Sequence, residues 1–141
     1  MADLIGLVAA KEALVALLVE NIESDADIYY GRSPSIGRAA TVSVMGGRAT
    51  TTPEFIGAEG DTDRWTIEVV CTSANLLGRP AHAEASVLVL ASDVRKAIRA
   101  DRSISGTVDH CRILGLELNS VEEMDSFAAE AVVALELYMV R

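Results

Sequence analysis

Three residue types that enzymes and metal sites use stand side by side in this sequence, as Asp109, His110 and Cys111. A carboxylate, an imidazole and a thiolate can together hold zinc or activate a nucleophile. The segment 110–119, however, has the composition of a β-strand, and neighbouring side chains of a strand point to opposite faces of the sheet. We therefore do not expect His110 and Cys111 to converge on one centre.

The other candidates for chemistry are few. The chain has one further cysteine, Cys71, and one further histidine, His82. A zinc site made from these two and the 110–111 pair would lack the short ligand spacing of zinc motifs, so core cysteines and surface histidines are the favoured interpretation. Signature motifs for nucleotide binding, hydrolases and calcium loops are absent. No catalytic, cofactor-binding or metal-binding residue is predicted, and a small metal-binding or enzymatic domain using Cys71, His110 and Cys111 is kept as the alternative.

The bulk composition favours an interaction protein over a nucleic-acid binder. The 141 residues fit one domain, 1–141, and the net charge of −9 argues against a phosphate-binding surface. Half of the residues are apolar and the mean hydropathy is positive, +0.29, which suggests that a partner covers some apolar surface. No signal peptide and no apolar run of membrane-spanning length is present, so a soluble protein in a reducing compartment is expected.

The pattern of apolar residues predicts an α+β fold. Two helices are expected on one face of a mostly antiparallel sheet that contains a long β-hairpin, in the order α-β-β-β-α-β-β. The predicted elements are helices over 3–22 and 80–100 and strands over 28–31, 39–45, 64–73, 110–119 and 127–141.

Several positions inside these elements carry specific expectations. In the first helix, Val8 belongs to the predicted apolar stripe and Lys11 to the polar side. Gly106 is expected to turn the chain from the second helix into the next strand while Ile104 packs under the sheet. Gly115 suggests a bulge or a close approach of another backbone.

Two acidic groups stand in or near predicted turns. One follows the first strand of the long hairpin, within residues 46–63, where two apolar residues, Phe55 and Ile56, stand among acids. The second precedes the last strand. Neither group has the ligand spacing of a calcium site or of a glycosidase pair, so a solvated or partner-facing surface is the favoured interpretation.

The whole chain resembles the tail terminator proteins of long-tailed, siphovirus-type bacteriophages. The resemblance rests on a first helix leading to a short strand and a Gly/Pro loop, "IYYGRSPSIGR", and on the long hairpin over 39–73. It rests further on a turn after the second helix with Asp101, Ile104, Gly106 and Val108, and on a long, Ala-rich alternating strand from Phe127 to Tyr138.

This resemblance implies a structural virion protein that assembles in the host cytoplasm and has no enzymatic activity or cofactor. It implies a homohexameric ring at the head-proximal end of the tail, which stops polymerisation of the tail-tube protein and joins the tail to the head–neck connector protein. DNA would pass through the lumen without specific binding, and no membrane would be involved. A neck or head-completion connector is the nearest alternative.

The acidic and apolar groups then acquire expected roles. The expected partner interface consists of Glu54, Phe55, Ile56, Glu59, Asp61, Asp63, Leu76 and Leu77. The acids expected to face the lumen or the next ring are Glu117, Glu122, Glu123 and Asp125.

Overall fold

The computed structural model of the chain describes residues 6–22, 26–31, 40–53, 61–75, 80–123 and 126–140. Its elements are α1 (Gly6–Asn21), β1 (Asp27–Tyr30), β2 (Ala40–Pro53), β3 (Asp61–Asn75), α2 (Pro80–Ala100), β4 (His110–Glu123) and β5 (Ser126–Val140). The predicted α+β class and the predicted order of elements are confirmed.

The five strands form one sheet in the order β1-β2-β3-β5-β4. β1 is parallel to β2, and the other neighbouring strands are antiparallel. β3 and β4 flank β5, so they run in the same direction, and α2 makes the connection between them. β1 and β4 are the two edges of the sheet.

Both helices pack on the same face of the sheet, and the core lies between the two layers. α2 lies over β5 and β3, whereas α1 lies over β1 and β2 and beside α2. The predicted alternation explains the core, because every second residue of a strand points to the helices. The buried strand residues of this helix-side face include Val42, Val44, Ile67, Val69, Cys71, Ala131, Val133, Leu135 and Leu137.

The long hairpin differs from the prediction in the length of its strands. Residues 46–63 were expected to connect the two strands, but β2 continues to Pro53 and β3 begins at Asp61. The pairing only shifts register between Met45 and Arg48, and Gly46 takes a φ of 83°. The two glycines therefore form a bulge rather than the end of the strand.

Lys11 explains how this bulge is held. It was expected on the polar side of α1, but it is 9% exposed. Its Nζ donates a hydrogen bond to the Gly46 carbonyl oxygen (3.1 Å) and lies 4.7 Å from the centroid of the Tyr30 ring. Val8, expected in the apolar stripe, is instead exposed. Both differences have one cause. This part of α1 faces the edge strand β1 and the hairpin bulge, where the Lys11 ammonium group has a carbonyl oxygen and an aromatic ring as partners, whereas Val8 stays exposed.

The turn after α2 is built around one carboxylate. Asp101 accepts hydrogen bonds from the Ser103 hydroxyl (2.8 Å) and from the backbone N–H groups of Ser103 (3.2 Å) and Ser105 (2.8 Å). Ile104 and Ser105 both have positive φ angles, 47° and 55°, and Gly106 follows at 79°. Ile104 is fully buried, as predicted.

The predicted bulge near Gly115 is also confirmed, by a register shift between Ile113 and Gly115.

Ser105→Gly is expected to stabilise the protein by up to about 1 kcal/mol, because glycine adopts a left-handed conformation without the Cβ clash. The Ser105 side chain is exposed, and its hydrogen bond to Asp101 uses the backbone N–H, which glycine keeps. Ser105→Ala is the control and should be close to neutral. Chemical denaturation measures both, and a Ser105→Gly protein less stable than Ser105→Ala would contradict the left-handed turn.

Asp101→Asn is expected to be less stable than the native chain at neutral pH, by a margin that shrinks in acid. Hydrogen bonds from the Ser105 N–H and the Ser103 hydroxyl hold the pKa of Asp101 below its ordinary value of 3.8. A carboxylate with a lowered folded-state pKa contributes stability above its unfolded pKa and loses it as pH falls through the folded value. Melting temperatures of the two proteins between pH 7 and pH 3 test this, and a constant difference would contradict it.

Candidate functional site

The residues that suggested chemistry do not come together in the structure. His110 is exposed and Cys111 is buried, so they lie on opposite faces as predicted. Cys111 pairs with Leu137, and Cys71 pairs with Ala131. These partners are six residues apart along β5, about 20 Å at the rise of a strand, so the two thiols cannot share a ligand. Among the described residues no group of three or more His, Cys, Asp or Glu side chains could hold a metal ion.

The environment of the two cysteines is that of core residues. Both are free and fully buried. Burial raises the pKa of Cys71 to about 12. Burial likewise raises the pKa of Cys111 to about 11, although the positive charge of Arg102 opposes the shift. Thiols with such pKa values carry almost no thiolate near neutral pH, and thiolate is the reactive form.

We therefore expect neither cysteine of the folded protein to react with a maleimide or a disulfide reagent at pH 7–8. Both should react once the chain is unfolded. The measurement is the mass of the labelled protein with and without denaturant. Stoichiometric labelling of either thiol in the folded state would contradict the burial of that strand.

The residues expected to contact partners are distributed as follows. Asp63 was expected at the exposed tip, but it lies within β3 and is 3% exposed, which removes it from any surface. Asp61 begins β3, and Glu122 and Glu123 end β4. Glu117 is exposed and pairs with Val132 on the face without helices. Outside the described residues lie Glu54, Phe55, Ile56, Glu59, Leu76, Leu77 and Asp125.

The face of the sheet without helices carries an open recess of about 390 Å³ lined by Arg64, His110, Arg112, Glu136 and Tyr138. The Arg64 guanidinium lies over the Tyr138 ring, 5.4 Å from its centroid. Arg112 Nη2 and Glu136 Oε1 form an ion pair at 3.1 Å. The recess therefore contains one arginine that is paired with a carboxylate and one that lies over an aromatic ring. Sequence reasoning missed this recess, because its residues are far apart in the chain.

A different surface, also missed by sequence reasoning, runs along the β4 edge. After the bulge, Leu116 pairs with Val133 and Leu118 with Ala131, which places both leucines on the helix side of the sheet. They are nevertheless 42% and 40% exposed. Leu88 of α2 is exposed as well. We call Leu88, Arg95, Leu116 and Leu118 the β4 groove.

The opposite edge of the molecule carries a second exposed apolar surface. It consists of one side of α1, with Val8, Glu12, Val15 and Val19 at spacings of three and four residues. Such spacings place side chains on one side of a helix. Val8 and Val19 are exposed, Val19 to 61%. We call these four residues the α1 ridge.

Within the described residues, neither helix combines the length and the apolar character needed to cross a membrane.

Comparison with known proteins adds little to this description. The sequence matches no protein-family model and no curated protein. A similar solved structure is a chain of a particle described as "Virion of native gene transfer agent (GTA) particle". It is 12% identical, and the match has a TM-score of 0.47 and covers 89% of this chain and 84% of that chain. Values this low do not bear on what the protein does.

Proposed function

We propose that this chain is a structural virion protein of a long-tailed bacteriophage. In this proposal it forms a homohexameric ring at the head-proximal end of the tail. The ring ends polymerisation of the tail tube and joins the tail to the head–neck connector. The observation that carries the proposal is the pair of exposed apolar surfaces, the α1 ridge and the β4 groove, on opposite edges of one acidic domain.

Two different surfaces on opposite edges are what a ring requires. A head-to-tail contact uses one patch on each subunit and a different patch on the next, and it closes into a ring when the rotation permits. Groups of exposed leucines and valines on one side of a helix or along one strand are candidates for contact sites. The resemblance in the order of elements and in the 101–108 turn supports the same class of protein.

The acidic charge fits the passage of DNA. Six copies would carry six times the net charge of −9, and like charge in the lumen would prevent the counterion release that drives DNA binding. We assign Glu117, Glu122, Glu123 and Asp125 to the lumen or to the next ring. Glu54, Phe55, Ile56, Glu59, Asp61, Leu76 and Leu77 are assigned to contacts with neighbouring rings, without Asp63 because it is buried.

Removal of the protein from the particle is the direct test of the function. If it terminates the tail, particles lacking it should show over-long tails by electron microscopy. Tails of normal length without heads would instead identify a neck connector, the second candidate, which would use the same exposed surfaces. The mass of the purified protein with and without polymerised tail tube adds a test of ring formation.

The alternative function from a different class, that of a small metal-binding or enzymatic domain, has no geometric support in the positions of its candidate residues. A metal-binding or enzymatic domain was to use Cys71, His110 and Cys111, but the sheet separates the two cysteines and turns the histidine to the other face. Metal analysis of the purified protein tests the alternative. Stoichiometric zinc that is lost in Cys71→Ser would restore it.

A further inference from the structure

We infer that the α1 ridge of one copy of this chain docks into the β4 groove of the next copy. The inference rests on the proposed ring and adds to it which surfaces of two subunits meet. The occupant is thus a second copy of this chain.

The β4 groove exists because the helix layer is narrower than the sheet. α1 covers β1 and β2, and α2 covers β3 and β5. α2 reaches β4 at its first turns, where the Ser120 hydroxyl contacts a Glu84 carboxylate oxygen. Further along the strand, Leu116 and Leu118 are exposed, so the two helices leave them largely uncovered. Leu88 is one turn after Glu84 on the same side of α2, so the groove has an apolar floor and an apolar wall.

The α1 ridge lies at the other edge of the molecule, where Val15 is half-buried and Val8, Glu12 and Val19 are exposed. Lys11 directs its side chain towards Tyr30 of the edge strand β1. Val8 and Val15, three residues before and four residues after Lys11, lie on the same side of the helix. Val19 continues this side towards the end of α1. Val8 and Val19 are exposed on this side, which leaves it open to another molecule.

The two helices run in opposite directions over the sheet. α1 begins beside the hairpin bulge, where the Leu7 side chain packs near Gly47 and Trp65. Trp65 pairs with Leu137, which in turn pairs with Cys111 near the start of β4. α2 ends at the turn that leads into the same start of β4. The start of α1 and the end of α2 therefore lie at the same end of the sheet.

Charge and spacing match between the two surfaces. Glu12 precedes Val19 by seven residues, and Arg95 follows Leu88 by seven residues. Both separations are about 10 Å along a helix. Because the helices are antiparallel, each surface carries its charge nearer the start of β4 and its apolar residue further from it. Two copies side by side thus bring carboxylate to guanidinium and valine to leucine.

Arg95 is the cation of the β4 groove, and one of its nitrogen atoms makes no hydrogen bond with the described residues. Its Nε is buried, and within the described part of the chain no hydrogen-bond acceptor is in reach. A buried donor without an acceptor is costly. The Arg95 side chain as a whole is half-buried, so in the docked arrangement the exposed Glu12 carboxylate of a neighbouring subunit would lie beside the part of it that solvent reaches.

The test is a disulfide across the proposed joint, with Val19→Cys and Leu118→Cys in one chain. Under oxidation we expect a ladder of covalent oligomers, because each copy carries both halves of a head-to-tail contact. A mixture of the two single variants should give dimers only. The native thiols are buried and should not take part. The matched control is Val19→Cys with Ser86→Cys, which places the second thiol at an exposed position of α2 two residues before Leu88. Side chains at that spacing do not share a side of the helix, so this variant should not cross-link.

Charge reversal tests the same joint in the native, uncross-linked protein. Glu12→Arg and Arg95→Glu should each raise the dissociation constant for self-association roughly tenfold, and the double variant should recover most of the loss. All assays are run on the protein alone and on polymerised tail tube. A ring of normal mass without the Val19–Leu118 cross-link, or one indifferent to both reversals, overturns the inference and leaves the proposed function standing. A protein that stays monomeric even on the tube overturns both.

Discussion

Replacing Ile104 with alanine is expected to lower the free energy of unfolding by about 2–5 kcal/mol. The side chain is fully buried in the turn that joins α2 to β4, and its truncation leaves a cavity that a hydrogen-bonded turn cannot fill by collapse. The substitution also leaves the backbone at a φ of 47°, which remains unfavourable for alanine. Urea denaturation monitored by circular dichroism measures the loss.

A comparison with glycine isolates the backbone contribution. In the middle of a helix or strand, a glycine variant is less stable than the alanine variant by roughly 0.5–1 kcal/mol, but at a left-handed residue this order is expected to reverse or vanish. Ile104→Gly should therefore be no less stable than Ile104→Ala. Val89→Ala on the exposed side of α2 is the matched control and should change stability by less than about 0.5 kcal/mol. A small loss for Ile104→Ala would show that the turn does not close the core.

This turn also shows what sequence reasoning can recover. The aspartate, the isoleucine two residues before a glycine, and the following strand predicted a turn with a buried apolar side chain. The alternation in β3 and β5 predicted the buried face of the sheet. When helices cover only one face, the apolar residues at every second position of a strand must point to that face. Local patterns of this kind report local geometry, and the order of elements followed from them.

Features that depend on distant parts of the chain were not recoverable. Gly46 and Gly47 were interpreted as the end of a strand, since a glycine pair at a turn and at a bulge look alike in sequence. The bulge before Gly115 shifts the alternation of β4, so Leu116 and Leu118 reach the helix side beyond the reach of α2. Neither the exposure of these leucines nor the recess beside Arg64 has a local signal.

Lys11→Met is expected to cost about 2–4 kcal/mol of stability, although methionine keeps most of the apolar stem and is a good helix former. The change removes a charged hydrogen bond to the Gly46 carbonyl, typically about 1.5–3 kcal/mol. It also removes the cation from the Tyr30 ring, a contact of about 0.5–1 kcal/mol at an exposed site. Lys11→Glu should cost more, since it places a carboxylate against a carbonyl oxygen. Thermal and urea denaturation measure both.

Lys96→Met is the matched control, because Lys96 is exposed in the interior of α2 and its replacement should stay within about 0.5 kcal/mol. Equal stability of the two methionine variants would contradict the role given to Lys11.

The same substitution should also affect binding, and this effect can be measured separately from stability. Lys11 fixes the bulge from which the hairpin continues towards residues 54–60, the segment assigned to contacts between rings. If the chain binds the tail tube as proposed, a Lys11→Met protein that remains folded at the assay temperature should bind polymerised tail tube more weakly than Lys96→Met, because the bulge between Met45 and Arg48 is no longer held by the lysine.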